Sequence, residues 1–141
     1  MHEITGNIWE YRGQAIIVIT TNCGVDRRGR AVIGRGCARQ ALEYFPDLAE
    51  DLGRLLQDQG AQVHDLGKGL VSFPVEETAW SLPDLRLIRA SAWQLRELAD
   101  EKHWTKIIVP RPGCGGGGLD WQSVRPILKK YFDERFHVIS M

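Results

Sequence analysis

A chain of 141 residues, 43% hydrophobic and 26% charged, has the means to bury one core of ordinary size and is read as a single domain. Its 18 basic and 18 acidic residues cancel, which excludes a general electrostatic hold on nucleic acid or anionic membrane and leaves only local polyanion contacts. Three cysteines (Cys23, Cys37, Cys114) and four scattered histidines lack metal-ligand spacing, so no metal, cofactor or disulfide framework is expected. With no signal peptide and no apolar run long enough to span a bilayer, the expectation is a cytoplasmic monomer with free thiols.

Residues 2–5 form a short edge-like strand, and Gly6-Asn7 turns the chain. The β-branched run Ala15 to Thr21 is continuous rather than alternating, the pattern of a strand buried on both faces. It ends at Asn22-Cys23-Gly24, and a polar loop follows with Asp26, Arg27, Arg28 and Arg30. Gly34-Arg35-Gly36-Cys37 opens a helix with Ala38, Ala41, Leu42 and Phe45 on one face, closed by Pro46. Asp47 is placed to cap the next helix, which carries Leu48, Leu52, Leu55 and Leu56 and stops at Gly60. Residues 61–66 read as a strand or irregular edge, and Gly67-Lys68-Gly69 as a turn. In the strand from Leu70 to Val75, Pro74 lacks an amide and predicts either an early end or an edge position.

The loop from Glu76 to Leu82 contains Trp80, read either as a stacking residue over a base or ribose, or as a core anchor. Pro83 starts a long helix whose apolar positions run from Leu85 to Ala99. The strand Lys106 to Val109 leads into Pro110-Arg111-Pro112 and then Gly113-Cys114-Gly115-Gly116-Gly117-Gly118, where five of six residues lack a Cβ. Ordering such a segment is costly in entropy, and close approach of backbone amides to an anion is what commonly offsets it. A helix from Trp121 to Phe132 and a strand from Phe136 to Ser140 complete the chain. Strands alternating with helices imply a mostly parallel sheet with helices on both faces. Ligands of such sheets bind beyond the carboxyl ends of the strands. Both glycine-bearing loops, Asn22 to Gly36 and Pro110 to Asp120, follow strands there, which predicts one shared cleft.

The Gly-Asn-Ile after the first strand, the run Ala-Ile-Ile-Val-Ile-Thr-Thr-Asn, the glycine loop opening a helix and the late Pro-Arg-Pro-Gly-Cys-Gly followed by Leu-Asp-Trp together resemble the macrodomain family over nearly the whole chain. The branch that it resembles includes terminal ADP-ribose glycohydrolase and antitoxin macrodomains acting on ADP-ribosylated DNA. The resemblance implies a three-layer α/β/α fold with a mixed, mostly parallel sheet, and binding of ADP-ribose or ADP-ribosyl groups. It implies that Asn7, where the family usually has aspartate, meets the adenine together with Ile8; a plain turn residue is the other reading of Asn7. Thr21 and Asn22 then approach the distal ribose. Gly34, Gly36 and Cys37 form one side of the diphosphate site, and Pro112, Gly113, Cys114, Gly115, Gly116, Gly117 and Gly118 form the other. Cys114 reads as a small filler rather than a nucleophile, because no histidine is near it in sequence.

The branch's catalytic pair is missing. Phe73-Pro74-Val75-Glu76-Glu77 stands where its lysine is found, and Gly117 stands where its aspartate is found. A covalent lysine route is therefore not expected. The candidates for catalysis are Asn22, Asp26 and Asp120, with Glu76 and Glu77 also in reach of the expected site. Asp26 has the alternative role of a solvated residue among arginines, and Asp120 that of an N-cap. Three functions stay open: an ADP-ribose binder, an enzyme on the same site (an ADP-ribosylhydrolase or a phosphatase of ADP-ribose-1″-phosphate), and a non-catalytic nucleotide-phosphate or RNA-end binding module. Arg27, Arg28, Arg30 and Arg35 can steer an anion or contact a nucleic-acid backbone carrying the ADP-ribose.

Overall fold

In a computed structural model covering residues 1–141, the run expected to be buried on both faces lies inside the sheet. This strand, β2 (Ile16–Asn22), has β4 (Leu70–Glu76) on one side and β5 (Ile107–Pro110) on the other. β6 (Phe136–Ser140) follows β5, and β1 (His2–Thr5) forms one edge. At the other edge, β3 (His64–Gly67) pairs antiparallel with β4, and every other pairing is parallel. The order β1-β6-β5-β2-β4-β3 gives the expected mixed, mostly parallel sheet.

The alternation of side chains along each strand splits the core into two layers. Val18, Val71, Phe73, Ile107, Val109, Phe136 and Val138 meet α3 (Leu85–Lys102) and α4 (Trp121–Tyr131) on one face. Ile17, Ile19, Leu70, Ile108 and Ile139 meet α1 (Cys37–Ala41) and α2 (Leu48–Gln59) on the other. The result is three layers, α/β/α. A 3-10 turn at Ile8–Tyr11, not foreseen from sequence, joins the second face. Its Trp9 indole donates to Gln40 Oε1 at 2.8 Å and stacks on Tyr44, which ties the turn to the segment after α1.

Several local expectations are corrected. The first helix stops at Ala41, and residues 42–44 are turn, so Leu42 and Phe45 pack on the core from outside it. Asp47 occupies the N-cap position of α2 without a side-chain hydrogen bond, its ψ of 10° turning the carboxylate away from capping geometry. Pro74 neither ends β4 nor makes it an edge strand. β3 pairs with β4 only at Leu70, Val71 and Ser72, so Pro74 lies beyond its reach and no amide is missed. The Pro74 carbonyl instead accepts from Ser91 Oγ of α3 at 2.7 Å.

α2 also holds the first loop. Ala31 N donates to Ala49 O at 2.7 Å, and Gly53 lies against the loop backbone. A Cβ at Gly53 would strike the Gly29 carbonyl oxygen and sit 2.7 Å from Ala31 N and 2.8 Å from Arg30 Cα. Gly53→Ala is therefore expected to lower stability by about 1–3 kcal/mol through overpacking. It does so although alanine improves helix propensity by about 1 kcal/mol at an exposed position. Urea denaturation measures the balance, and a variant as stable as the parent would disprove this close packing.

Candidate functional site at the carboxyl edge of the sheet

β5, β2 and β4 are adjacent and parallel, so the loops that follow them emerge together at the carboxyl edge. The chain leaves β2 for α1 and α2 on one face and leaves β5 for α4 on the other. The gap between β2 and β5 is thus a topological switch point, where open parallel sheets form a crevice.

Asn22 organises the first loop. It is 3% exposed, its Nδ2 donates to Val32 O at 2.9 Å, and its Oδ1 accepts from Gly24 N at 2.8 Å. These bonds fold the loop into two parts. The outer part is a hairpin closed by the Val25–Ala31 bridge, and Gly29 at its tip lies against Gln57 of α2. Asp26 belongs to this tip. Its Oδ1 accepts from the amides of Arg28 (2.8 Å) and Arg30 (3.1 Å), and Arg30 Nε lies 3.2 Å from Oδ2. These donors hold the carboxyl below its usual pKa. Asp26 thus closes its own turn, and Arg27, Arg28 and Arg30 belong to this tip. Arg35 alone of the basic run stays between the glycines.

The inner part, residues 33–39, is different. None of the seven consecutive amides from Ile33 to Arg39 donates to a protein acceptor. Gly36 has φ 67° and ψ −132°, a conformation open to glycine, and a Cβ there would meet nothing within 4 Å. Such a row of unused donors is an anion-binding concavity in chemical terms. Cys37 follows, its thiol 3.9 Å from Val18 O and pushed up to about 12 by burial.

The second loop uses its glycines in two ways. A Cβ at Gly117 would lie 2.5 Å from Pro83 Cγ and 2.7 Å from Gly113 O. One at Gly113 would lie 2.7 Å from Leu119 Cδ1 and 3.1 Å from Pro83 Cβ. These two glycines let the loop pack on the start of α3. Gly115, Gly116 and Gly118 face open space, and the amides of Gly115, Gly116 and Gly117 have no protein acceptor. Pro112 is buried beneath them. Cys114 Sγ lies 3.4 Å from Pro112 O, and burial raises its thiol pKa, which fits a filler rather than a nucleophile. Asp120 is the N-cap of α4, accepting from Gln122 N at 3.2 Å.

At the edge of the sheet, Asn7 caps the 3-10 turn, accepting from Trp9 N at 3.0 Å, with Ile8 buried behind it. In the centre, Thr21 is buried, and Asn22 pairs in register with Glu76 at the end of β4. Glu76 is half-buried, and desolvation raises its carboxyl pKa. Burial raises the nearby Cys23 thiol pKa, and the Glu77 and Glu76 charges raise it further. Sequence reasoning ranked Asp26 and Asp120 above Glu76. Only the strand register, invisible in the sequence, sets Glu76 beside Asn22. Trp80 is 95% exposed and is no core anchor. A concavity of about 450 Å³ lies at the opposite edge, between Ile16, Gly69 and Lys106 at the amino ends of the strands. No helix is long and apolar enough to cross a membrane.

No family model matches the chain. The chain is similar over its full length to the macrodomain of Mycobacterium tuberculosis DarG, with a TM-score of 0.79, 24% identity and 99% of that structure covered. This is the macrodomain fold. A second macrodomain structure, Thermosipho africanus DarTG in complex with ADP-ribose, superposes with a TM-score of 0.79 and 16% identity, over 99% of this chain and 42% of that one. In sequence the chain is 27% identical, over 130 residues and 84% of its length, to the DNA ADP-ribosyl glycohydrolase of Mycobacterium tuberculosis. It spans only 35% of that protein, and 38% of a Thermosipho africanus relative.

The division among the macrodomain-fold glycines can be measured. Gly117→Ala is expected to cost about 1–3 kcal/mol by pushing the loop off Pro83. Gly116→Ala, with open space and no positive φ, should stay within about 0.5 kcal/mol of the parent. Thermal unfolding of both variants decides it, and equal losses would refute the assignment.

Proposed function

We propose that residues 1–141 act as one macrodomain that binds ADP-ribose, free or attached to a macromolecule, along the carboxyl edge of the sheet. The observation that carries this reading is the row of seven acceptorless amides from Ile33 to Arg39, set at the same switch point as those of Gly115 to Gly117. Backbone donors of this kind suit a diphosphate. In this reading Gly34, Gly36 and Cys37 hold it from one side and Pro112 to Gly118 from the other. Asn7, with a lone pair left after capping, and Ile8 receive the adenine, and Thr21 and Asn22 face the distal ribose. The ADP-ribose in the superposable DarTG structure supports the choice of ligand.

Calorimetric titration tests it. ADP-ribose should bind at least about tenfold more tightly than ADP, a difference of about 1.4 kcal/mol, with AMP weaker still. Equal affinity for ADP and ADP-ribose would favour a plain nucleotide-phosphate module. No binding of any of the three would end the proposal.

A second reading, hydrolysis of an ADP-ribosyl linkage, is favoured by Glu76. Its half-buried carboxyl with a raised pKa stands in register with Asn22, whereas Asp26 and Asp120 are engaged as a turn closure and a cap. In this scheme water attacks the anomeric carbon of the distal ribose, the bond to the target breaks, Glu76 accepts the water proton, and solvent protonates the leaving group. The name of the Mycobacterium tuberculosis relative supports a nucleic-acid target. Glu76→Gln should reduce release of ADP-ribose from modified DNA by roughly 10²-fold or more while leaving ADP-ribose affinity in place. A base works when deprotonated, and this carboxyl is raised, so activity should rise with pH through a window above the usual glutamate range. A Glu76→Gln variant with full activity would remove the carboxylate from this role.

A further inference from the structure

Seven large apolar side chains remain at the surface, and four of them, Trp80, Leu82, Leu85 and Trp93, fall within 14 consecutive residues. Trp80 is 95% and Leu82 83% exposed. Exposed apolar groups gathered in this way mark an interaction surface. The segment is held rigidly. Trp80 N donates to Thr78 Oγ1 at 3.2 Å, Thr78 Oγ1 and Ser81 Oγ are 2.7 Å apart, and Asp84 N donates to Val75 O at 2.9 Å. The indole is thus presented on a fixed turn with its ring in solvent.

Two cations accompany it. Arg86 and Arg89 lie on the exposed side of α3, and with Trp93 they follow helical spacing along one face. The Arg86 side chain is 92% exposed, and its one acidic neighbour, Asp84 at 4.0 Å, is already capping Arg86 N. Arg89 has no ion pair within 4.0 Å. Of the glutamates nearest in sequence, Glu76 and Glu77 form no ion pair with either arginine, and Glu97 lies a turn beyond Trp93. Aromatic faces alternating with exposed guanidinium groups complement a single nucleic-acid strand, which offers bases to stack and phosphates to pair. The surface also adjoins the cleft, because Pro83 is the residue against which Gly113 and Gly117 pack.

We propose that the face from Trp80 to Trp93 is a platform for single-stranded nucleic acid, with bases stacking on Trp80 and Trp93 and phosphates pairing with Arg86 and Arg89. Its relevance rests on the reading that the adjoining cleft takes an ADP-ribosyl group. The strand carrying that group would then run from the glycine loop along the first half of α3. Because the platform recognises the unmodified strand, it can be tested without that reading.

The experiment is fluorescence anisotropy with labelled 12-nucleotide deoxy and ribo strands and the corresponding DNA duplex, over a salt series. Single strands should bind more tightly than the duplex, and the deoxy and ribo arms show which backbone is preferred. Trp80→Ala, at a site too exposed to endanger folding, should weaken strand binding by about fivefold or more. The double variant Arg86→Ala with Arg89→Ala should flatten the log K against log salt slope by about 1.4, from roughly 0.7 per lost phosphate contact. ADP-ribose affinity should not change in the double arginine variant. Absence of strand binding, as a surface kept for a protein partner would give, overturns the platform, as does binding that both variants leave unaltered. Strand binding that responds to the variants while ADP-ribose fails to bind would uphold the platform and remove the cleft reading.

Discussion

The amide of Asn22 is the point on which the cleft depends. It ends a strand with both faces buried, so its backbone cannot shift without moving the core, and its side chain bonds Val32 O and Gly24 N almost out of contact with water. Losing either bond would strand a buried polar group, at a cost of about 1–3 kcal/mol. Through these two bonds the rigidity of β2 is passed to a loop of poor intrinsic order. The hairpin tip is further fixed by Asp26 and by α2 around Gly53. The one long run of unbonded amides is at residues 33–39. The first loop is therefore ordered at its base and tip, with a continuous row of unsatisfied donors along its inner stretch.

The same economy governs the second loop. Gly113 and Gly117 are required by the close approach to Pro83 and Leu119, while Gly115 and Gly116 leave room for something that is not protein. A glycine-rich stretch in sequence does not reveal which glycine serves packing and which serves a ligand, because that depends on Pro83, about 30 residues away in the chain. By contrast, the double-sided burial of β2, the parallel sheet and the placement of both loops at one edge were legible, since they follow from local patterning and from the handed geometry of strand–helix–strand units.

The local departures from expectation, and the choices between alternatives, have physical causes. Pro74 argued against an interior strand only because the length of β3 was unknown; a four-residue partner leaves the proline unopposed. Asp26 and Asp120 drew attention as carboxylates near the expected site, yet each is spent on backbone amides two residues ahead, as short acidic side chains at turns and helix starts commonly are. Nothing local singles out Glu76, because the register that pairs it with Asn22 arises from strands separated by more than 50 residues. A tryptophan in a loop fits a core or a ligand role equally from sequence, and the exposure of Trp80 excludes the first.

The equal numbers of acidic and basic residues take on a different meaning in this light. A cleft that meets a diphosphate through backbone amides needs no cationic side chain, so nothing of it registers in net charge. The arginines that do carry charge are distributed by partner: Arg30 pairs with Asp26, Arg125 with Glu3, and Arg135 with Asp133 and Asp100. Arg86 and Arg89 differ from these pairs: Arg86 keeps only a 4.0 Å contact to Asp84, Arg89 has no ion pair, and both share an exposed face of α3 with Trp93. Neutral composition excludes a general attraction to polyanions but permits a local one, and the structure concentrates exposed cation and unburied aromatic surface on a single face next to the glycine loop. A chain built in this way would discriminate by contact at close range rather than by long-range steering, because exposed charges more than a Debye length apart are largely screened at physiological salt.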